Sequence, residues 1–203
     1  MSSRRLLLDI DGVLHVGRPD FESHMRSLGW KGEYQVFQNA LFLDEEYRAT
    51  LVGRADIRMV LGRLLREFDQ ELGLELLMRQ WLGGNLLVNE ELLALLPSLQ
   101  VHSIRLATNQ DPVRAAGIRR MYRDRPAIAG MYFSHEIGHR KPFAEYFAHI
   151  TADLDCAPED IVFVDDSPEN VEGAREFGMS AVRFADNESL LRQLSALGIG
   201  RGA

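Results

Sequence analysis

Two aspartates, Asp9 and Asp11, follow a short apolar run at residues 6–8 and stand just before Gly12. Side chains alternate along an extended chain, so the two carboxyl groups lie on one side and Ile10 lies on the other. Such a pair can divide a reaction between attack by one carboxylate and proton transfer by the other. Asp9 and Asp11 are therefore the first candidates for chemistry.

Other polar residues follow later apolar runs in the same manner: Thr108, Asn109, Asp165 and Asp166. Lys141 stands before Pro142 in a later loop, where it can bring a positive charge to the same place. Clustered carboxylates repel one another, and oxygen ligands favour a hard cation such as Mg²⁺. The sequence therefore predicts a magnesium site with Lys141 beside it.

A phosphate ester would suit this combination of groups. A carboxylate can attack phosphorus when the charge of the phosphate is offset and its oxygens are held, which Mg²⁺, Lys141 and Thr108 would do. The second carboxyl group, Asp11, can protonate the departing alkoxide and later take a proton from water. Asn109 stands near the start of the next helix, whose free backbone donors also suit an anion.

The elements that must position these residues are strands that alternate with helices. The apolar runs predict strands at residues 6–8, 104–107, 131–133, 161–164 and 181–184. Asp111-Pro112 and Ser167-Pro168 have the composition of helix starts, and Gly178 that of a helix end. This order predicts an α/β fold with a Rossmann-like, doubly wound parallel sheet, and ligands bind beyond the carboxyl ends of such strands.

About 90 residues separate the first predicted strand from the second, far more than a crossover connection needs. Apolar residues at helical spacing mark an amphipathic helix in this interval: Ile57, Val60, Leu61, Leu64, Leu65 and Phe68. Further helices are predicted over residues 44–52, 74–82 and 89–99. We therefore expect an α/β core of residues 1–15 and 88–203 and an all-helical insertion of residues 16–87.

Four segments in order resemble those of the haloacid dehalogenase superfamily. They are Leu-Leu-Leu-Asp-Ile-Asp-Gly-Val-Leu at 6–14, Leu-Ala-Thr-Asn at 106–109, Gly-His-Arg-Lys-Pro at 138–142, and Val-Phe-Val-Asp-Asp-Ser-Pro-Glu-Asn-Val-Glu-Gly-Ala at 162–174. The resemblance is to the capped phosphatases of its subfamily I, the branch with sugar phosphatases and the N-terminal phosphatase of soluble epoxide hydrolase. It implies that the insertion is a helical cap domain.

The resemblance also implies roles for the residues. Asp9 would be the nucleophile that becomes an aspartyl phosphate, and Asp11 the general acid and base. Mg²⁺ would be held by Asp9, the backbone carbonyl of Asp11 and Asp166, with Asp165 beside it as ligand or support. Thr108, Asn109 and Lys141 would hold the phosphate.

Four alternatives are weighed against a phosphatase. A dehalogenase is disfavoured because such relatives carry an aromatic residue where Asp11 stands, whereas a phosphomutase similar to β-phosphoglucomutase keeps both aspartates and stays open. His135, Glu136 and His139 match the H-E-x-x-H pattern of zinc metalloproteases, but Gly138 and Pro142 interrupt the helix that this site needs. A binding protein without turnover would have no need of both aspartates.

The composition narrows the choice of partners. The 203 residues include 23 basic and 30 acidic side chains, a net charge of −7, which disfavours nucleic acid. No apolar run approaches the roughly 20 residues that cross a bilayer, and the single cysteine, Cys156, allows no internal disulfide. We expect a cytoplasmic monomer or homodimer that acts on a small phosphorylated metabolite, without a nucleic-acid or membrane partner.

Overall fold

A computed structural model describes residues 4–84 and 86–202 of the chain. Its strands, in chain order, are β1 (Arg5–Leu8), β2 (His15–Gly17), β3 (Leu86–Val88), β4 (Ser103–Thr108), β5 (Ile128–Phe133), β6 (Ile161–Asp165) and β7 (Ser180–Arg183). Its helices are α1 (Phe21–Ser27), α2 (Tyr34–Leu43), α3 (Glu45–Thr50), α4 (Ile57–Glu67), α5 (Leu74–Arg79), α6 (Glu90–Leu95), α7 (Pro112–Tyr122), α8 (Ser134–Ile137), α9 (Ala144–Leu154), α10 (Pro168–Glu176) and α11 (Asn187–Ala196).

Five strands form a parallel sheet in the order β5-β4-β1-β6-β7. Leu8 at the end of β1 is level with Leu106 of β4 and with Val164 of β6. The chain leaves β1 for β4 and β5 on one side and then returns to β6 and β7 on the other. The predicted α/β sheet is thereby confirmed, and β1 lies where the winding reverses, which is where such sheets bind ligands.

Helices cover both faces of the sheet. Leu7 faces a cluster that contains Tyr146 and Phe147 of α9, whereas Leu6 and Leu8 face a second cluster with residues of α6, α7 and α11. All three leucines are fully buried. An apolar run without polar alternation is what a strand buried on both faces requires, and it holds β1 in the centre of the sheet.

The segment between β2 and β3, here called the helical insertion, has an apolar cluster of its own. The buried stripe predicted for α4 is confirmed, and it packs with Trp30, Phe37 and Trp81. The sequence analysis did not predict α1 and α2. α1 spans only 7 residues, and α2 carries apolar residues on its exposed side as well, among them Phe42 and Leu43, so neither shows a clean stripe.

An antiparallel ribbon joins the insertion to the sheet. His15 of β2 pairs with Val88 of β3, and Gly17 pairs with Leu86. The prediction that residues 16–87 are all helical is therefore wrong at both ends, because strands of 3 residues are too short to show an alternating pattern. The predicted boundaries fall within this ribbon, and the division into two domains stays a prediction.

Several helices are shorter than predicted. α5 gives way at Arg79 to an irregular helical turn over Gln80–Gly84, in which Gly83 has a φ of 143°. α6 ends at Leu95 and continues as a 3-10 turn, Leu96–Ser98, around a proline. Within residues 4–84 and 86–202, no helix has the length and apolar character needed to cross a bilayer.

A close contact joins α10 to the loop that carries Lys141. A Cβ atom added at Gly173 would lie 2.3 Å from the carbonyl oxygen of Pro142 and 2.8 Å from its Cβ. At Gly117 in α7, by contrast, an added Cβ would meet nothing closer than 4.0 Å. The absence of a side chain at Gly173 therefore lets the helix and the loop pack together.

This difference predicts opposite effects of one substitution at two helical glycines. We expect Gly173→Ala to lower the free energy of unfolding by about 1–3 kcal/mol, because overpacking against backbone costs more than the helix propensity gained. Gly117→Ala should leave it unchanged or raise it by about 0.5–1 kcal/mol. Urea denaturation measures both, and equal effects at the two positions would contradict the packing described.

Candidate active site

The ends of three neighbouring strands bring two aspartates and a threonine together. Asp9 follows β1, Asp165 is the last residue of β6, and Thr108 is the last residue of β4. The backbone N–H of Asp9 donates to the carbonyl of Val164 at 2.9 Å, which extends the pairing of β1 with β6 by one residue. All three side chains are buried at the carboxyl edge of the sheet.

Lys141 occupies the space between two of these carboxylates. Its Nζ lies 2.7 Å from Asp9 Oδ1 and 2.6 Å from Asp165 Oδ2, and it donates to the carbonyl of Ala107 at 2.9 Å. The lysine is 1% exposed. Burial alone would lower its pKa, but the charges of Asp165 and Asp9 outweigh burial and raise the pKa. Lys141 is therefore a buried cation at the centre of the site.

Both carboxylate oxygens of Asp165 accept hydrogen bonds. The backbone N–H of Ser167 donates to its Oδ1 at 2.9 Å, and the amide of Asn170 donates to both oxygens at 3.1 Å. Together with Lys141, these donors fix the carboxylate. Asp166, the next residue, is exposed instead, so the two members of the predicted acidic pair differ in surroundings.

Asp9, Asp165 and Asp166 form a group that could hold a metal ion, since one oxygen from each lies within 4.8 Å of the others. In the described part of the chain, Asp9 Oδ1 is buried without a well-directed hydrogen bond. Burial and the charge of Asp165 raise the pKa of Asp9 despite the opposing effect of Lys141. Three carboxylates against one ammonium leave two negative charges, which a divalent cation would offset.

Gly12 allows Asp166 to approach this group. Its φ is +83°, and a Cβ at this position would lie 2.2 Å from the Cγ of Asp166. The Asp166 carboxylate thus fills the space that any other residue at position 12 would need. The sequence analysis noted Gly12 only by its position after the two aspartates, and the contact with Asp166 gives it a structural role.

Asp11 lies apart from the acidic group and pairs with an arginine. The Nη1 and Nη2 atoms of Arg114 each lie 2.8 Å from an oxygen of Asp11, and Gln110 Nε2 donates to the same carboxylate at 2.8 Å. Burial would raise the pKa of Asp11, but Arg114 and Gln110 reverse this effect and lower it. The predicted pair of aspartates is therefore split between two positive charges, Lys141 for Asp9 and Arg114 for Asp11.

Arg114 also contacts the helical insertion. Its guanidinium lies over the ring of Trp81, 5.4 Å from the centroid, and Trp81 Nε1 donates to Asp111 Oδ2 at 3.0 Å. Asp111 is the N-cap of α7, as predicted, and its other oxygen accepts from the backbone of Val113. The sequence analysis missed Arg114 and Gln110, although both follow Asn109 closely in the chain.

The remaining predicted residues lie at the same edge but have neighbours of their own. Thr108 Oγ1 accepts from Gln110 Nε2 at 3.0 Å. Asn109 is engaged with the backbone of Lys141, since its amide donates to the Lys141 carbonyl at 3.1 Å and its carbonyl accepts from the Lys141 N–H at 2.9 Å. Asn109 therefore positions the lysine. The structure does not place it as a free donor for an anion.

The H-E-x-x-H segment does not form the helix that a zinc protease requires. α8 ends at Ile137, and Gly138 has a left-handed φ of 79°, so His139 lies outside the helical turn that holds His135. Glu136 pairs with Arg119 at 2.6 Å, and His135 contacts the carbonyl of Gln110 at 3.2 Å. Neither histidine belongs to a group of potential metal ligands within the described residues.

Comparison with known proteins gives a family and a fold. The family model for haloacid dehalogenase-like hydrolases matches residues 4–178. The chain is similar to a structure of a haloacid dehalogenase family enzyme from Bacteroides thetaiotaomicron, with 20% identity, a TM-score of 0.73, and coverage of 95% of this chain and 99% of that one. Another structure of that enzyme is a complex with magnesium and inorganic phosphate.

Two curated relatives match over shorter segments. Flavin mononucleotide hydrolase 1 of Arabidopsis thaliana is 42% identical over 62 residues, which are 30% of this chain and 25% of that protein. A sesquiterpene phosphatase of Aspergillus oryzae is 30% identical over 80 residues, 39% of this chain and 41% of that protein. The matched segments thus span less than half the length of either relative.

The buried position of Lys141 predicts a large loss of stability when its charge is removed. We expect Lys141→Met to lower the free energy of unfolding by about 3 kcal/mol, because Asp9 and Asp165 would remain buried without a counter-charge. Asp165→Asn added to this variant should recover part of the loss. Urea denaturation in metal-free buffer measures all three proteins.

A surface lysine provides the matched control for this experiment. Lys31 lies 2.6 Å from Glu71 with both side chains exposed, so Lys31→Met should leave the free energy of unfolding nearly unchanged. Equal losses for Lys141→Met and Lys31→Met would contradict the central position given to Lys141.

Proposed function

Because the chain belongs to the haloacid dehalogenase-like hydrolases, we propose that it is a Mg²⁺-dependent phosphatase of small phosphorylated metabolites. The observation that carries the proposal is the contact of Lys141 with both Asp9 and Asp165, with Asp166 in the same acidic group. The names of the two curated relatives, a flavin mononucleotide hydrolase and a sesquiterpene phosphatase, support removal of phosphate. The identity of the metabolite stays open.

The acidic group fits a magnesium ion. It offers oxygen atoms only, as this hard cation prefers, and its three carboxylates exceed the single positive charge of Lys141. We assign Asp9 and Asp166 as ligands, with Asp165 fixed beside them by Lys141. A bound Mg²⁺ would offset the charge of the phosphate as it meets these carboxylates.

Asp9 would carry the first chemical step. One of its oxygens attacks the phosphorus, so that an Asp9–phosphorus bond forms while the bond from phosphorus to the alcohol oxygen breaks. The Lys141 ammonium lies beside the attacking carboxylate and would hold a phosphoryl oxygen there, as would the buried Thr108 hydroxyl. Asp11 would give a proton to the departing alkoxide.

Asp11 would act again in the second step. It would take a proton from water, the water oxygen would attack the phosphorus, and the bond from phosphorus to Asp9 would break to release inorganic phosphate. The Arg114 pair favours the ionised form of Asp11 that this step needs. Proton donation in the first step requires that the carboxyl group gain a proton and turn from Arg114 towards the substrate.

The helical insertion would serve as a cap over this edge of the sheet. Trp81 contacts both Arg114 and Asp111, and Arg114 pairs with Asp11, so the insertion would close the side of the site nearest Asp11. Exclusion of bulk water strengthens the electrostatic contacts between charged groups and the phosphate. Opening of the cap would then release the product.

Replacement of the proposed nucleophile provides the direct test. We expect Asp9→Asn to reduce the rate of p-nitrophenyl phosphate hydrolysis with Mg²⁺ by at least about 10³-fold, because an amide oxygen attacks phosphorus poorly. Asp124→Asn, at an exposed position, should keep the parent rate. The assay measures the release of inorganic phosphate, because a phosphatase transfers the phosphoryl group to water, whereas a phosphomutase would transfer it to a sugar. A parent-like rate for Asp9→Asn would refute the assignment.

Magnesium binding can be tested without an activity assay. We expect Mg²⁺ to raise the melting temperature of the parent protein, because it binds the folded acidic group and not the unfolded chain. Gly12→Ala should abolish this shift, since the added Cβ would displace the Asp166 carboxylate. Gly17→Ala, where an added Cβ meets nothing within 4 Å, should retain it. A full Mg²⁺ shift in Gly12→Ala would contradict the proposed role of Asp166.

A further inference from the structure

A cavity of about 470 Å³ opens between the helical insertion and the loop that carries Lys141. Arginines line it from both sides: Arg48 of α3 and Arg54 from the insertion, and Arg140 from the loop. This volume lies in the range of small-molecule sites. The cavity therefore has the size of a small-molecule site, and its lining holds three arginines and two glutamates, Glu45 and Glu145.

Within the described residues, the three arginines lack the ion pairs that several arginines of the insertion form. Arg26, Arg58 and Arg63 each form an ion pair with a carboxylate. In residues 4–84 and 86–202, none of the three arginines of the cavity has such a pair. Their guanidinium groups are therefore available to an anion from outside the chain.

The arginines also act on one another. Burial, and then the charge of Arg48, lowers the pKa of Arg140, and Glu169 opposes this effect only in part. Two further carboxylates, Glu45 and Glu145, line the cavity, but neither pairs with an arginine in the described residues. Like charges held around a concave surface repel until a counter-ion joins them, so this arrangement favours an anionic ligand.

The cavity is lined by residues that precede and follow Lys141 in its loop. Arg140 directly precedes Lys141 and donates to its carbonyl at 3.1 Å. Tyr47, next to Arg48 on α3, is buried and close enough to both Asp11 and Arg140 for their charges to affect its pKa. We therefore place the phosphate of the substrate at Asp9 and the remainder of the molecule towards the three arginines.

Phe143 gives the cavity a fixed wall. It is 52% exposed, and its ring lies 5.0 Å from the guanidinium carbon of Arg140. Such a contact orients the guanidinium and leaves the N–H groups that do not donate to the Lys141 carbonyl able to donate elsewhere. A planar guanidinium held in this way suits a carboxylate or phosphate.

We propose that this cavity binds a second anionic group, a carboxylate or a phosphate, on the part of the substrate that is not hydrolysed. The inference rests on the proposed phosphatase function and narrows its substrate class to phosphate esters with a further negative charge. Arg48 and Arg54 would select such substrates from the insertion, and Arg140 would do so from the core.

The test compares esters that differ only in the second anion. One pair is 3-phosphoglycerate and glycerol 3-phosphate, and the other is fructose 1,6-bisphosphate and fructose 1-phosphate. We expect the parent protein to prefer the anionic member of at least one pair by about tenfold in kcat/KM, mainly through KM. The two pairs separate a carboxylate from a phosphate as the recognised group.

Variants test whether the arginines of the cavity cause the preference for a substrate with a second anion. Arg48→Gln combined with Arg54→Gln should reduce the ratio of the two kcat/KM values by about tenfold. Arg66→Gln removes the same type of charge from an exposed position on α4, outside the cavity, and should leave the ratio unchanged.

The outcomes separate this inference from the function on which it rests. If p-nitrophenyl phosphate is hydrolysed but the parent protein treats both members of each pair alike, the anion site is refuted and the phosphatase stands. A preference that survives in the double variant also refutes the site. If no ester is hydrolysed with Mg²⁺, the proposed function fails and the anion site fails with it.

Discussion

The rest of this structure depends on the burial of one ammonium group between two carboxylates. Lys141 reaches Asp9 and Asp165 from a loop that follows β5, so three separate segments must come together before any of the charges is offset. Charges removed from water are costly unless they are paired and hydrogen-bonded. The position of β1 between β4 and β6, the Asn109 contacts that hold the lysine backbone and the donors around Asp165 all serve this requirement.

The sequence was sufficient to predict the sheet and the residues at its edge. The predicted strands at residues 6–8, 104–107 and 161–164 each lead into a polar residue, and carboxyl ends of parallel strands meet at one edge, so Asp9, Thr108 and Asp165 could be placed together. The pair of Asp11 with Arg114 could not be predicted in this way. It joins residues 103 positions apart, and it depends on which way each side chain turns once the strands are in place.

The secondary structure of the helical insertion could also be predicted only in part. The stripe of α4 has a clear period and was predicted, whereas the short strands β2 and β3 carry no period at all and form because they pair with each other. Similarly, the sequence pattern does not distinguish Arg54 from Arg58 and Arg63. The structure separates Arg54, which lines a cavity, from Arg58 and Arg63, which are paired with carboxylates.

The ribbon of β2 and β3 has a consequence for how this fold can change over evolution. Both passages of the chain between core and insertion run side by side in it, and neither belongs to the five-stranded sheet. Insertions, deletions or exchanges beyond the ribbon therefore leave the register of the sheet intact. On the proposed assignments, the groups that break the bond lie at the strand ends and two of the three cavity arginines lie beyond the ribbon, so changes in the insertion would alter the choice of substrate without changing the proposed catalytic residues.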